Sequence, residues 1–251
     1  ILILNICFLL LCPLETLASN VAIGVVIDGQ SETTDRLMQQ LKQELSELSG
    51  RDFIASFPAK YQLNSQWDVP TIKQNVAALA NQPGIDIVLA LGVISSQQTL
   101  SVHRAIPVIA PLVINNSMQR FPLTRHGSSG LNYLHYLTAN YDFRREIAHF
   151  QTLTNAQNIA LVMDDLLLQT LPESSKVISE HFKDAPYKVH IVSNKNGAWQ
   201  LASAIDAVFL MPLKRMSDRQ LNQLIEYINS RSLPSYSAAG KAVVSQGVLM
   251  G

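Results

Sequence analysis

Polar residues that suit the binding of a small molecule follow two apolar runs in the first half of the chain. Asp28 and Gly29 end the run NVAIGVVID, and Gly92 comes shortly before Ser95 and Ser96. A carboxylate such as that of Asp28 can accept hydrogen bonds from an ammonium or hydroxyl group. A Gly turn that opens a helix presents free backbone N–H groups, which favour a carboxylate or another anionic or polar group. These five residues are our first candidates for ligand contacts.

The second half offers further candidates, and most candidates in the chain also have a structural interpretation. Asn115, Asp164 and Ser237 follow apolar runs at comparable positions. Asp164 and Ser95 could cap helices, Asp28 could cap the helix that follows it, and Asn is common in turns for backbone reasons. The ligand-binding and structural interpretations both stay open at this level.

Two aromatic residues, Tyr61 and Trp67, lie in a polar stretch of the first half. An aromatic ring there could stack on a planar ligand, or it could pin the loop to a sheet by burying its apolar surface. We favour the second role.

Nothing in the sequence indicates catalysis. The chain contains no Gly-x-Ser-x-Gly motif, no phosphate-binding loop and no His-Glu-x-x-His motif, and its six histidines show no metal-ligand spacing. Both cysteines, Cys7 and Cys12, lie near the N-terminus, so the rest of the sequence has no thiol for a disulfide, a nucleophile or a zinc site. We expect a protein without enzymatic activity, metal or cofactor.

The elements that position the candidate residues occur twice in the same order. Three apolar, strand-like runs cover residues 20–28, 85–92 and 106–113, and three similar runs cover residues 158–165, 205–212 and 233–240. Between the runs, apolar residues recur at helical spacing, for example over 31–48, and a short helix is expected over 197–204. Strands that alternate with helices predict parallel sheets joined by right-handed crossovers.

Two related α/β halves, each too small to enclose a ligand, predict a crevice between lobes at the carboxyl ends of the strands. Residues 115–132 are rich in Asn, Ser, Gly, Arg and Pro and show no sustained periodicity, which is typical of a boundary. We therefore expect two Rossmann-like lobes with parallel sheets, residues 20–114 and 115–236, joined by a hinge. Residues 237–251 are expected to return toward the first lobe.

Composition supports a folded protein and argues against nucleic acid as a partner. The 251 residues include 47% apolar and 15% charged residues, well outside the range typical of disorder. Nineteen basic residues balance nineteen acidic ones, and no Lys/Arg cluster forms a stripe that could follow a phosphate backbone.

The first 19 residues are interpreted as part of a secretory signal peptide. Residues 1–12 form an apolar run that is short for a membrane span, and small residues precede a cleavage position after Ala18. Because no initiator Met and no basic segment precede the run, we expect the natural chain to start before Ile1. The prediction is a periplasmic or otherwise exported protein, with a retained membrane anchor as the alternative.

Three segments resemble the substrate-binding proteins of ABC importers, in the group that includes tryptophan- and tyrosine-type binders. They are residues 85–97 (IDIVLALGVISSQ), 106–108 (IPV) and 233–251 (LPSYSAAGKAVVSQGVLMG). The resemblance implies the two-lobed fold of type I periplasmic binding proteins and a further helix after Gly251. The family commonly offers a polar Asp-Asn-like pair in the loop after the later strand of the second lobe. Here Leu213-Lys214-Arg215 stands in that loop.

The resemblance implies an exported solute-binding protein that captures a small, possibly amino acid-like ligand in the interlobe crevice. Its partner would be the membrane permease of an ABC importer, and we expect a monomer. Two alternatives remain at this level. The same fold could sense a ligand outside the cell for a receptor kinase, cyclase or chemoreceptor, or it could have lost its ligand and serve an envelope assembly.

Overall fold

The computed structural model describes residues 19–49, 53–102, 106–138, 143–195 and 199–251. The expected signal peptide lies outside these ranges, apart from its last residue. Within the described ranges, no helix combines the length and the apolar character needed to cross a membrane.

The first parallel sheet is built from strands in the first half of the chain. Its strands among the described residues are β1 (Ser19–Ile27), β2 (Phe53–Ser56), β3 (Gln62–Asn64), β4 (Ile87–Leu91), β5 (Val108–Val113) and β6 (Leu134–Thr138). The order is β2-β1-β4-β5-β6, and β3 pairs with the end of β1 beyond β2. The α-helices that lie between β1 and β6 in the described part of the chain are α1 (Glu32–Leu48), α2 (Val69–Ala80), α3 (Val93–Gln98) and α4 (Asn116–Gln119).

The second parallel sheet follows in the chain and is smaller. Its strands among the described residues are β7 (Asn158–Asp164), β8 (Lys188–Asn194), β9 (Ala207–Leu210) and β10 (Ser235–Ser237), in the order β10-β9-β7-β8. The remaining helices are α5 (Phe143–Thr154), α6 (Asp165–Thr170), α7 (Ser174–Phe182), α8 (Asp218–Ser230) and α9 (Lys241–Val244).

The runs that recur in the sequence form strands at corresponding positions in the two sheets. β1, β4 and β5 are neighbours in the first sheet in the same order as β7, β9 and β10 in the second. The Asp before the matching strands β4 and β9 also has one role in both sheets. Asp86 Oδ2 accepts the N–H of Ala22 at 2.8 Å, and Asp206 Oδ1 accepts that of Asn158 at 2.9 Å. The prediction of two related parallel α/β halves is confirmed.

Apolar side chains cover both faces of each sheet, as expected for parallel sheets. α2 buries Ile72, Val76 and Leu79 against one face of the first sheet, while α1 packs partly buried leucines on the other face. In the second sheet, one face carries a cluster around Phe150 and Phe209, and α8 covers the opposite face. The candidate residues lie outside these apolar faces, in the loops that follow the carboxyl ends of the strands.

The short helix expected over 197–204 is not formed in the described part of that segment, which is irregular and ends in a turn. The guanidinium of Arg231 donates hydrogen bonds to the carbonyl oxygens of Leu201, Ala202 and Ser203 at 3.3–3.4 Å. These carbonyls are therefore satisfied by a side chain of another segment rather than by helical N–H groups. The sequence prediction was wrong here because the partner lies about thirty residues away.

Two strands were not expected from the sequence. β3 is three residues long, and β6 mixes polar and apolar residues, so neither shows a clear strand pattern. β6 pairs in parallel with β5 and therefore lies in the first sheet, although we expected residues 115–236 to form the second lobe. The strand pairing places the change from the first sheet to the second after residue 138.

Candidate ligand site at the carboxyl ends of the two sheets

Asp28 follows β1 directly and is almost fully buried, with 4% of its surface exposed. Its Oδ2 accepts the backbone N–H of Ile94 at 2.8 Å, and its Oδ1 accepts that of Ser95 at 2.7 Å. The carboxylate therefore caps α3, which follows β4. It does not cap α1, since Ser31 fills that role by accepting the N–H of Thr34. Asp28 therefore caps a helix, as the structural interpretation proposed, but the helix is α3 and not α1.

Burial and hydrogen bonding act in opposite directions on Asp28. Burial raises the pKa of this carboxyl above its ordinary value, while the hydrogen bonds from the Ile94 and Ser95 backbones act to lower it. The net direction is upward, so transferring the charged carboxylate into this environment costs free energy that the two amides only partly offset.

Gly92 is required by the position of Asp28. A Cβ built on Gly92 would overlap the carboxyl group of Asp28. The backbone at Gly92 is extended, with φ of −174°, so any residue could adopt its conformation. Space for the carboxylate, and not backbone freedom, explains the glycine.

Ser95 and Ser96 are both fully buried. The hydroxyl of Ser96 donates to the carbonyl oxygen of Ala90 at 3.2 Å. The hydroxyl of Ser95 is buried without a hydrogen bond of standard geometry, although it lies beside the Asp28 carboxyl. The N–H groups of Ile94 and Ser95, which the sequence suggested for a ligand anion, are occupied by Asp28.

Gly29 and Trp67 form the next contact along the first loop. A Cβ on Gly29 would overlap the indole ring of Trp67, and the backbone N–H of Trp67 donates to the carbonyl oxygen of Asp28 at 2.6 Å. Tyr61 packs against the core cluster on the α2 side of the first sheet. The interpretation that these aromatic residues pin the loop to the sheet is supported by both contacts.

Asp164 stands at the end of β7 and is also buried. Its Oδ1 accepts the N–H of Leu166 at 3.0 Å, which caps α6. Nη1 of Arg215 lies 3.2 Å from Asp164 Oδ1 and 3.0 Å from Asp165 Oδ1. Burial raises the pKa of Asp164, and the hydrogen bond from Leu166 and the charge of Arg215 oppose that shift.

The strand registers make Asp28 and Asp164 equivalent. Ile23 of β1 pairs with Ile87 of β4, and Ile159 of β7 pairs with Ala207 of β9. Asp28 lies as many residues after Ile23 as Asp164 lies after Ile159, so the two aspartates occupy equivalent positions. In the same way Gly92 matches Pro212, and Ser95 matches Arg215. The two sheets thus present a carboxylate at the same place and satisfy it by different means.

The loops at these two edges meet. Leu166 and Leu167 of α6 pack against the first-sheet cluster that contains Ile94. Nζ of Lys214 donates to Oγ1 of Thr33 in α1 at 3.1 Å. The structure therefore brings the carboxyl ends of the two sheets together, which is the arrangement that a crevice between lobes requires.

Asn115 and Ser237 have local roles. Oδ1 of Asn115 accepts the N–H of Met118 at 3.0 Å and caps α4. Ser237 is buried, and its Oγ accepts the N–H of Ala239 at 3.2 Å. Each of these contacts satisfies the turn in which the residue lies, and neither joins the residue to Asp28 or Asp164.

From the sequence, Asp165 stood beside Asp164 after the apolar run but was not chosen as a ligand contact, and neither Arg215 nor Asn194 was a candidate. Asn194 ends β8 directly opposite Asp164, is 2% exposed, and its Oδ1 is buried without a hydrogen-bond partner in the described structure. The signal for Arg215 was present, because it follows Pro212 at the spacing by which Ser95 follows Gly92. Asn194 carried no such signal.

A cavity of about 450 Å³ lies elsewhere on the first lobe. It is lined by α1 and by β1 and β3, with Val25, Met38 and Leu63 among its apolar residues and Lys42 at its polar rim. None of the ligand residues expected from the sequence lines it. Across the described ranges, no group of three or more His, Cys, Asp or Glu residues is arranged to hold a metal ion.

Comparison with known proteins finds likeness in structure and not in sequence. No family model matches the chain, and no curated protein matches it. A domain described as an ABC domain in complex with L-tryptophan, from Streptococcus pneumonia, is similar with a TM-score of 0.66 at 16% identity, covering 92% of this chain and 78% of that one.

Two further solved structures are similar over most of this chain. A leucine-binding protein from Thermotoga maritima has a TM-score of 0.61 at 12% identity, covering 92% of this chain and 67% of its own. A type 1 periplasmic binding protein from Bordetella pertussis has a TM-score of 0.58 at 11% identity, covering 91% and 65%. With the parallel sheets described above, these likenesses show that the chain has the α/β fold of type I periplasmic binding proteins.

Proposed function

We propose that this chain is an exported solute-binding protein that captures a small polar ligand between its two lobes and delivers it to the permease of an ABC importer. The observation that carries the proposal is the meeting of two equivalent sheet edges, marked by Asp28 and Asp164. Ligands of open parallel sheets bind beyond the carboxyl ends of the strands. A fold that places two such edges face to face can hold one ligand from both sides.

Binding and lobe closure would be coupled in this protein. A ligand that contacts both edges only when they are close binds the closed state more tightly, and so shifts the equilibrium toward closure. The contact of Leu166 and Leu167 with the first lobe and the Lys214–Thr33 hydrogen bond are the lobe contacts that such a ligand would reinforce. A permease could then distinguish loaded from empty protein by shape.

The proposed site has a wall from each lobe. Asp28, Gly29, Gly92, Ser95 and Ser96 form the wall of the first lobe. Asp164 and Arg215 form the wall of the second, with Asn115 and Ser237 in turns at its margins. Most of these side chains are buried and bonded to backbone, so in this proposal they fix the shape and charge of the walls.

The ligand class is supported by the neighbours in structure, one of which is described in complex with L-tryptophan and another as a leucine-binding protein. Export is supported by the apolar N-terminal run and the small residues before Ala18. On this proposal the protein works as a monomer, because one chain supplies both walls.

The test is ligand-dependent stabilisation of the purified chain. Thermal unfolding is measured with single L-amino acids, including tryptophan and leucine, and with small aromatic carboxylates. A ligand at 100 times its Kd stabilises the folded state by about 2.7 kcal/mol, which raises Tm by several degrees. Asp164→Asn is expected to reduce the shift, while Lys183→Gln, a change at an exposed residue of the same lobe, leaves it intact. If no compound raises Tm, the proposal is wrong.

A further inference from the structure

The carboxylate of Asp28 already occupies the N-terminus of α3. Asp28 accepts the N–H groups of Ile94 and Ser95, and Gly92 provides the space that the carboxylate fills. A ligand carboxylate directed at these amides would meet both an occupied position and a like charge. The first wall therefore disfavours an anionic group.

The second wall carries more negative than positive charge and one buried acceptor without a donor among the described residues. Asp164 and Asp165 share the guanidinium of Arg215, so two carboxylates face one cationic group, and Oδ2 of Asp165 also accepts a hydrogen bond from Nε2 of Gln169 at 3.3 Å. Lys214, the other cation of this loop, donates to Thr33 on the first lobe. Oδ1 of Asn194 lies in a side chain on the strand next to Asp164, and it is buried without a donor among the described residues.

Paired residues on neighbouring strands project to the same face of a sheet, so Asn194 and Asp164 lie side by side. A buried acceptor without a donor costs free energy, and a ligand that donates a hydrogen bond would remove that cost. A protonated amine is the group that satisfies an amide oxygen and an excess of carboxylates together.

We propose that the ligand of this protein is a small amine that presents a protonated nitrogen to the crevice and needs no carboxylate. Asp28 is the residue that sets this preference in the first lobe, and Asp164, Asp165 and Asn194 receive the ammonium in the second. The inference rests on the proposed solute-binding function and narrows its ligand class.

The experiment compares compounds that share a body and differ in charge. One series is tryptamine, L-tryptophan and indole-3-propionate, and the other is 3-methylbutylamine, L-leucine and 4-methylpentanoate. Binding to the purified chain is measured by calorimetry. We expect one amine to bind at least as tightly as its amino acid and the matched carboxylates not to bind. Asn194→Leu and Asp165→Asn should each weaken amine binding by roughly tenfold.

The outcomes separate this inference from the function on which it rests. If a carboxylate binds as tightly as its matched amine, or an amino acid binds while both amines fail, the amine preference is wrong and solute binding stands. If no member of either series binds, and no amino acid stabilises the chain, the solute-binding proposal is overturned together with the inference.

A second measurement tests the role of Asp28 without any knowledge of the natural ligand. Asp28→Ala vacates the anion position at α3, so acetate at millimolar concentration should raise the Tm of this variant and leave that of the parent protein unchanged. Acetate that stabilises neither protein would contradict the proposed role. If Asp28→Ala does not fold, Asp28→Asn, which keeps the shape and removes the charge, is measured with both compound series. Retention of the full preference for amines would then exclude Asp28 as its source.

Discussion

The two sheets place a carboxylate at the same position and stabilise it in different ways. Asp28 receives two N–H groups from the start of α3, whereas Asp164 receives one N–H from α6 and the guanidinium of Arg215. The difference follows from one position, because Gly92 in the first sheet corresponds to Pro212 in the second. Glycine lets the carboxylate approach and a helix starts directly after it. In the second sheet Pro212 stands at this position, and the next helix begins only at Asp218.

This comparison shows how a duplicated edge can diverge without a change of fold. The strand order and the Asp before β4 and before β9 are kept in both halves, because they hold the sheets together. The segments after β4 and β9 both contact a core, through Ile94 in the first sheet and through Leu213 and Met216 in the second, but their polar residues differ. In the first half the carboxylate is bound by buried backbone N–H groups, and in the second half it is bound by one backbone N–H and by a half-buried arginine side chain.

The largest expected effect comes from Gly92→Ala, compared with Pro212→Ala at the equivalent position. The new methyl group would displace the Asp28 carboxylate and break two buried hydrogen bonds, so we expect a loss of about 3 kcal/mol in the free energy of unfolding. Pro212→Ala should change it by less than about 1 kcal/mol. Urea denaturation of both variants measures the difference. Equal losses would show that the two edges do not differ in the way described.

Asp28→Ala and Asp164→Ala form the second comparison. The first change leaves the buried N–H groups of Ile94 and Ser95 without an acceptor, and should cost about 2 kcal/mol. The second change removes one helix cap, while Arg215 keeps its ion pair with Asp165. It should lower the free energy of unfolding by about 1 kcal/mol. The same denaturation experiment ranks the two variants, and a larger loss for Asp164→Ala would reverse the comparison.

The sequence alone predicted those parts of the fold that depend on local residue patterns. The apolar runs at 20–28 and 158–165 gave the central strands of both sheets, and leucines at helical spacing gave α1. The site was harder because its contacts are distant in sequence: Asp28 and Ile94 are 66 residues apart, and Asp164 and Arg215 are 51 apart. No local pattern shows which helix an aspartate caps, or that a basic loop faces an acidic pair.

The third prediction concerns pH. Burial raises the folded-state pKa of Asp28 above the ordinary value of 3.8, so the folded protein holds this proton to higher pH than the unfolded chain does. The contribution of Asp28 to stability is therefore greatest at low pH, and it is lost as the pH rises from 3.8 through the folded-state pKa. Asp164 has the same sign, with Arg215 opposing the shift.

Denaturation of the parent protein and of Asp28→Asn across this pH range isolates the contribution of Asp28. Because Asn does not titrate, the difference in stability between the two proteins should change as the pH rises, in favour of the variant. Asp164→Asn serves as the comparison and should show a smaller change. A pH-independent difference for Asp28→Asn would show that its pKa is not raised.

The smallest expected effect concerns the contact between the two edges. The Lys214–Thr33 hydrogen bond joins two exposed side chains, whereas Leu166 and Leu167 bury apolar surface against the first lobe. Water competes for the exposed hydrogen bond, so Lys214→Ala should lower the free energy of unfolding by no more than about 0.5 kcal/mol, close to the effect of the surface control Lys183→Ala. A loss above 1 kcal/mol for Lys214→Ala alone would mean that a single polar contact, and not apolar packing, holds the edges together.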